Sequence, residues 1–354
     1  MKAAISSRIG TRIFVACALV VCVALAVPAQ APKSAPAQKM DEAYTKLIKE
    51  YTQDPRISTE LVDHMPASDK VPSPLKFLGR IPGTPGELTY AKDIQRYYEA
   101  LAKASPRFKY WTIGKTEEGR DMVLLAVADE QTIKTLDTYK ANLAALTDPR
   151  KTTEAQAQLL IKTSKPIYWV TAGMHSGETG GPETLIELPY RLAVEETPFI
   201  QSIRNNVIVF ITPVLEVDGK EKHVDTYYYG KKTGKPRPPL VYWGKYVAHD
   251  DNRDAMGQML KLTQNVNRTF LEWKPTILHD LHEASNYLYV STGQGPYNEQ
   301  VDAITINEWW ALANTEVMEM AKRNVPGVWT YGFYDGWTPN YMFFIAHAHN
   351  AVGR

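Results

Sequence analysis

His175-Ser176-Gly177-Glu178 places an imidazole and a carboxylate three residues apart, directly after the apolar run Tyr168 to Ala172. Such a pair can converge on one divalent ion if the run is a strand ending in a turn, and zinc accepts N and O ligands of this kind. Gly177 between them lets the backbone fold back tightly. Alone, a His-x-x-Glu quartet is common and equally describes a surface hydrogen-bonding pair. A third ligand is expected at another strand end, and Thr276-Ile277-Leu278-His279-Asp280-Leu281-His282-Glu283 offers two imidazoles. Alternation along a strand puts His279 and His282 on opposite faces, so at most one of them binds. Two histidines and one glutamate leave a fourth zinc position open for water, the arrangement of a catalytic rather than a structural site.

Between the ligand segments stands Asp250-Asp251-Asn252-Arg253. A guanidinium grips a carboxylate bidentately, and a neighbouring amide adds a donor. Read without its flanks this is a solvated Asp/Arg loop. Asn267-Arg268 is a second such pair, set in an ordinary polar stretch.

The elements that must position these groups alternate between helix and strand. Tyr90 to Lys103, Ala155 to Ile161, Glu183 to Val194 and Asn307 to Arg323 read as helices. Tyr110 to Ile113, Met122 to Val127, Ile167 to Ala172, Val207 to Val214 and Pro275 to Leu281 read as strands. That alternation predicts an α/β fold with a mixed, largely buried central sheet flanked by helices. Functional residues are then expected where strands end and loops begin.

Ahead of this domain, Lys2, Arg8 and Arg12 precede an apolar run, Ile13 to Val27, and then Pro28-Ala29-Gln30-Ala31. A charged region, an apolar region and a small-residue exit describe a secretory signal peptide over residues 1–31, and hence a secreted or periplasmic protein. Residues 32–88 read as a linker and leader: the first part is rich in Ala, Pro and Lys, Asp41 to Tyr51 has helical spacing, and prolines 66, 72, 74, 82 and 85 punctuate the rest. The domain is expected over 89–354. Both cysteines, Cys17 and Cys22, fall in the signal segment, so any metal site here uses His, Asp and Glu. The net charge of +1, with no long basic run, argues against nucleic acid as a partner and, once the signal is cleaved, against stable membrane association.

Taken in order, these segments resemble the zinc carboxypeptidases, the M14 metallopeptidases, from about Thr89 onward. The family's His-x-x-Glu matches His175 and Glu178, and its Asp-x-His at a strand end matches Asp280 and His282. Its Gly-x-Ser-x-Glu-Gly-Arg turn looks like Gly114-Lys115-Thr116-Glu117-Glu118-Gly119-Arg120. The resemblance implies Zn²⁺ held by His175, Glu178 and His282, with His279 only a neighbour. It implies that Asp250 orients His175 from behind, and that Asn252 and Arg253 hold the free C-terminal carboxylate of a peptide or protein substrate. Glu216 stands where the family has asparagine. An oxyanion-stabilising arginine matches neither Arg237 nor Lys245 well.

The family's general-base glutamate follows the third ligand on a late strand, and no glutamate within the chain fits it. Glu283 adjoins a ligand but alternates away from it, and Glu308, Glu316 and Glu319 sit on a helix. The run Phe343 to Asn350 reads as a strand entering the site, with His347 and His349 on one face. The expectation is therefore a domain truncated at its C-terminus, with the glutamate soon after Arg354; a natural inactive relative is the competing reading. The implied activity is release of C-terminal residues by metal-activated water. An amidase of the same fold acting on cell-wall peptides or acyl-amino acids, and a secreted zinc-binding module without activity, are the alternatives.

Overall fold

Apolar runs that end in turns become the strands of the expected sheet. The computed structural model describes residues 38–240, 250–283, 288–330 and 335–354. The signal segment and Lys245 lie outside the described residues. The strands are β1 (Phe108–Lys115), β2 (Asp121–Val127), β3 (Ile167–Ala172), β4 (Ile208–Thr212), β5 (Ile277–Leu281), β6 (Leu288–Tyr289), β7 (Val328–Trp329) and β8 (Val352–Gly353). Six of them form one sheet in the order β1-β2-β4-β3-β5-β8, and β6 and β7 form a separate parallel pair. The β1–β2 and β2–β4 pairs are antiparallel, whereas β3 pairs parallel with both β4 and β5. The sheet is mixed, as the sequence pattern predicts.

Helices α1 (Glu42–Tyr51), α2 (Pro74–Leu78), α3 (Ala91–Ala104), α4 (Glu130–Lys134), α5 (Leu136–Leu146) and α6 (Glu154–Thr163) come first. They are followed by α7 (Gly180–Val194), α8 (Pro198–Asn206), α9 (Val217–Thr233), α10 (Lys261–Trp273), α11 (Ala303–Lys322) and α12 (Phe344–His347). In α3, Ile94, Tyr97, Tyr98 and Leu101 recur at helical spacing and are wholly buried. α10 does the same with Leu262, Val266, Phe270 and Trp273. β3 and β4 carry the apolar body of the sheet, with Trp169 and Phe210 fully enclosed. Trp169 settles its one polar atom by donating Nε1–H to Thr212 Oγ1 at 3.0 Å. Residues 38–88 pack into the same body: Tyr44 and Met65 have no exposed surface, and Tyr190 donates its hydroxyl to the carbonyl of Pro66.

Two sequence expectations change. Phe343 to Asn350 is not a strand: Phe344–His347 is a short helix, and burial at successive positions 344, 345, 346 and 347 has no period of two. His347 and His349 therefore share no strand face. His347 Nε2 meets the carbonyl of Gly353, and His349 Nδ1 that of Ile345. The stretch around Asn267-Arg268 is the middle of α10, where Arg268 donates to the Ile113 carbonyl and to Asn265 Oδ1 at 2.6 Å each. That guanidinium fastens α10 to β1.

Candidate metal centre

The parallel pairing of β3 with β5 sets the site. Ala172 lies opposite Leu281, so the chain leaves both strands at the same edge of the sheet, side by side. Beyond Ala172, Gly173 adopts φ 64° and turns the chain toward the ligand quartet. Gly177 has no positive φ, so the turn between the two residues does not use the left-handed freedom of glycine. The quartet closes as a turn, with the Glu178 N–H on the His175 carbonyl at 3.0 Å. His282 stands one residue past the end of β5.

Three side chains meet at this edge. His175 Nδ1 lies 2.7 Å from Glu178 Oε1, His282 Nδ1 lies 3.0 Å from Glu178 Oε2, and the two Nδ1 atoms are 3.2 Å apart. Among the described residues this is the one group of three or more His, Cys, Asp or Glu placed to hold a metal ion. The outer ring nitrogens face carboxylates: His175 Nε2 is 2.9 Å from Asp250 Oδ1, and His282 Nε2 is 2.6 Å from Asp280 Oδ2. Asp280 is fixed in turn by the Thr171 hydroxyl at 2.7 Å. With Asp250 and Asp280 taking the outer N–H groups, each Nδ1 presents a lone pair. Two lone pairs and a carboxylate then point at one spot, which is stable only with a cation between them. With no ion bound, a proton on an imidazole supplies that positive charge instead. Burial opposes charge on Glu178, yet the two imidazoles hold it down to about 2. Burial also opposes charge on His282, but Asp280 and Glu178 push it up to about 10.

The donor set fits zinc. Zn–N bonds of about 2.0–2.1 Å in a tetrahedron put two ligand atoms about 3.3 Å apart, close to the 3.2 Å between the imidazole nitrogens. His279 does not join them. It is turned the other way, with Nδ1 2.7 Å from the Tyr168 hydroxyl, and burial holds its pKa well below the usual histidine value. Asp280, which holds His282 as Asp250 holds His175, was visible in sequence only as part of a motif. Asp250→Asn should weaken zinc binding roughly 10–100-fold, the usual cost of losing a carboxylate behind a metal-bound histidine. Competition with a chromophoric chelator measures it, and an unchanged affinity would remove Asp250 from the centre.

Asn252 reaches the centre more fully than Arg253 does. Asn252 is buried, its Oδ1 accepts the Met342 N–H at 2.7 Å, and its Nδ2 sits 3.2 Å from His282 Nε2. Because that nitrogen gives its proton to Asp280, the amide hydrogens of Asn252 remain available to a ligand. Asn252, Asp280, His282 and Glu283 line a cavity of about 490 Å³. Arg253 is turned toward Asp250 at 3.3 Å and stacks 4.4 Å over the Tyr341 ring. Glu216, in the asparagine position, caps α9 by accepting the Gly219 N–H, and burial pushes it up to about 7. Next to it, Asp218 accepts from Thr116, the Glu118 N–H and Arg120, docking the β1–β2 turn onto α9.

The fold sets this cluster, which could hold a metal ion, at the edge of a mixed sheet, and comparison identifies the family. The chain belongs to the zinc carboxypeptidase family, the M14 peptidases, whose sequence model matches residues 94–322. The metallo-carboxypeptidase from Burkholderia cenocepacia superposes with a TM-score of 0.51 at 17% identity, covering 75% of this chain and 59% of that one. Thrombin-activatable fibrinolysis inhibitor gives 0.49 at 12% identity, over 84% of this chain and 70% of that one. The Pseudomonas aeruginosa metallo-carboxypeptidase in complex with (2-guanidinoethylmercapto)succinic acid gives 0.47 at 13%, over 75% and 59%. At these identities the likeness is one of fold. The chain spans 59% of the length of the Burkholderia protein. No curated protein matches it. No helix among the described residues is long and apolar enough to cross a membrane.

Proposed function

We propose that the protein is an exported zinc metallocarboxypeptidase, acting on peptides with a free C-terminal carboxylate. One observation carries the metal assignment: two imidazole lone pairs and a carboxylate converge on one point, each imidazole oriented by an aspartate behind it. Export rests on the charged, apolar and small-residue segments of residues 1–31. Zinc held by His175, Glu178 and His282 would supply a Lewis acid for the scissile carbonyl and the attacking water. The chain's own residues do the rest. Asp250 and Asp280 keep both imidazoles in the ligand tautomer and fix their rings. The Asn252 amide offers N–H donors to the substrate's terminal carboxylate, and Arg253 adds a guanidinium beside it. The cavity next to His282 takes the terminal side chain.

Proton transfer is the part these residues do worst. Asp250 and Asp280 are each committed to an imidazole, and Glu283 Oε1 accepts the Gly180 N–H at 2.6 Å while its own N–H binds Glu178. The 354-residue chain should therefore bind zinc yet hydrolyse peptides slowly, short by the roughly 10²–10⁴-fold that general acid–base help contributes. Amino-acid release from free-acid dipeptide substrates measures this. Fast, chelator-sensitive turnover would contradict it, with Glu283→Gln the first variant to make.

A further inference from the structure

We propose that His223 and Arg237 form an anion-recognising subsite beside the metal-ligand turn, receiving an acidic side chain of the substrate N-terminal to its last residue. The proposal rests on the carboxypeptidase reading and adds a substrate class to it.

The turn joining His175 to Glu178 carries no side chain at Gly177. A Cβ placed there would lie 3.8 Å from His223 Cε1 and 4.0 Å from His223 Nδ1. An imidazole from α9 thus borders the ligand turn directly. His223 is partly exposed, and among the described residues neither ring nitrogen has a hydrogen-bond partner. One turn earlier on α9, Lys220 is fully buried, and its Nζ has no partner. One turn later, Tyr227 carries the Arg237 guanidinium over its ring at 4.8 Å. Arg237 can lie back across the helix because residue 230 is glycine: a Cβ there would stand 2.9 Å from Arg237 Cγ. Arg237 is exposed and forms no ion pair among the described residues.

Among the described residues His223 and Arg237 therefore stand beside the turn with no carboxylate bonded to either, whereas most other arginines have acidic partners; Lys220, enclosed beneath them, lies in the field of Glu183, Glu283 and Glu221. Burial first, and then Lys220 and Arg237, hold the His223 pKa below the ordinary histidine value, so the ring offers a neutral N–H. A carboxylate accepts hydrogen bonds from both guanidinium and imidazole N–H groups. The substrate's terminal carboxylate is taken by Asn252 and Arg253, which approach the centre by way of Asp250. A second anion beside Gly177 must come from elsewhere in the peptide. Apart from the terminal side chain, which enters the cavity by His282, every such group lies N-terminal to the last residue.

The test is peptide binding to the zinc-loaded 354-residue chain, followed by fluorescence anisotropy at low salt. Labelled hexapeptides with a free C-terminus carry Glu or Gln at each of the three positions before the last. At one of these positions Glu should bind about tenfold tighter than Gln, as expected for a charged hydrogen-bonded pair. Arg237→Gln and His223→Ala should each cut that preference to about twofold or less, leaving zinc content and the affinity of the Gln peptide unchanged. No Glu preference in the wild-type chain, or a preference that survives both substitutions, overturns the subsite. So does an equal loss for Glu and Gln peptides in Arg237→Gln, which would make Arg237 a general substrate contact. Absence of zinc, or of any peptide binding, overturns the carboxypeptidase reading and the subsite with it; lost Glu preference with both intact overturns the subsite alone.

Discussion

His282→Ala is expected to abolish stoichiometric zinc binding, whereas His279→Ala should leave it intact. The two imidazoles belong to one strand segment, yet only His282 passes the end of β5 and turns toward His175 and Glu178. Removing it leaves two protein ligands, so the loss should exceed the roughly 10–100-fold that follows loss of an outer partner. His279→Ala acts on stability instead. It strips the part-buried Tyr168 hydroxyl of its partner at 2.7 Å, a change that costs about 1 kcal/mol. Metal analysis after dialysis, with urea melts of both variants, separates the outcomes. Loss of zinc in His279→Ala alone would reverse the ligand assignment.

Arg253→Ala should weaken binding of free-acid peptides to the zinc-loaded chain far more than binding of their C-terminal amides. Truncating one partner of a buried charged pair costs about 2–5 kcal/mol. Arg253 is 40% exposed and already faces Asp250, so solvent screening places the effect near the lower end, about 2 kcal/mol or roughly thirtyfold in Kd. The amide, lacking the charge, should lose little. Equal losses on the acid and the amide would remove terminal-carboxylate recognition from this account.

The convergence of His175, Glu178 and His282 was legible in the sequence because its physics is local. β3 and β5 are short apolar runs, and each is followed closely by its ligands, so strand end and ligand are read together. Parallel pairing of β3 with β5 then brings the two ends side by side. Less legible were elements whose burial is not periodic. In α9 the buried apolar residues Val217 and Val224 share burial with Asp218, Gly219 and Lys220, so no apolar stripe marks the helix. At Phe343 to Asn350 a cluster of aromatic and apolar residues suggested a strand, but a four-residue helix buries them around its whole circumference. Side-chain direction was also hidden. Nothing in the order Asp250-Asp251-Asn252-Arg253 says that Asn252 enters the centre while Arg253 folds back on Asp250. Nor does spacing reveal that His223 meets Gly177, because a tertiary contact of α9 creates that neighbourhood.

The central claim is tested most directly by anomalous scattering at the zinc edge from crystals of the zinc-loaded chain. The account predicts one strong peak, about 2.0–2.1 Å from His175 Nδ1 and His282 Nδ1 and about 2.0–2.2 Å from a Glu178 carboxylate oxygen. A peak at His279, at His347 or His349, or no ordered zinc at the His175–Glu178–His282 cluster, would contradict it.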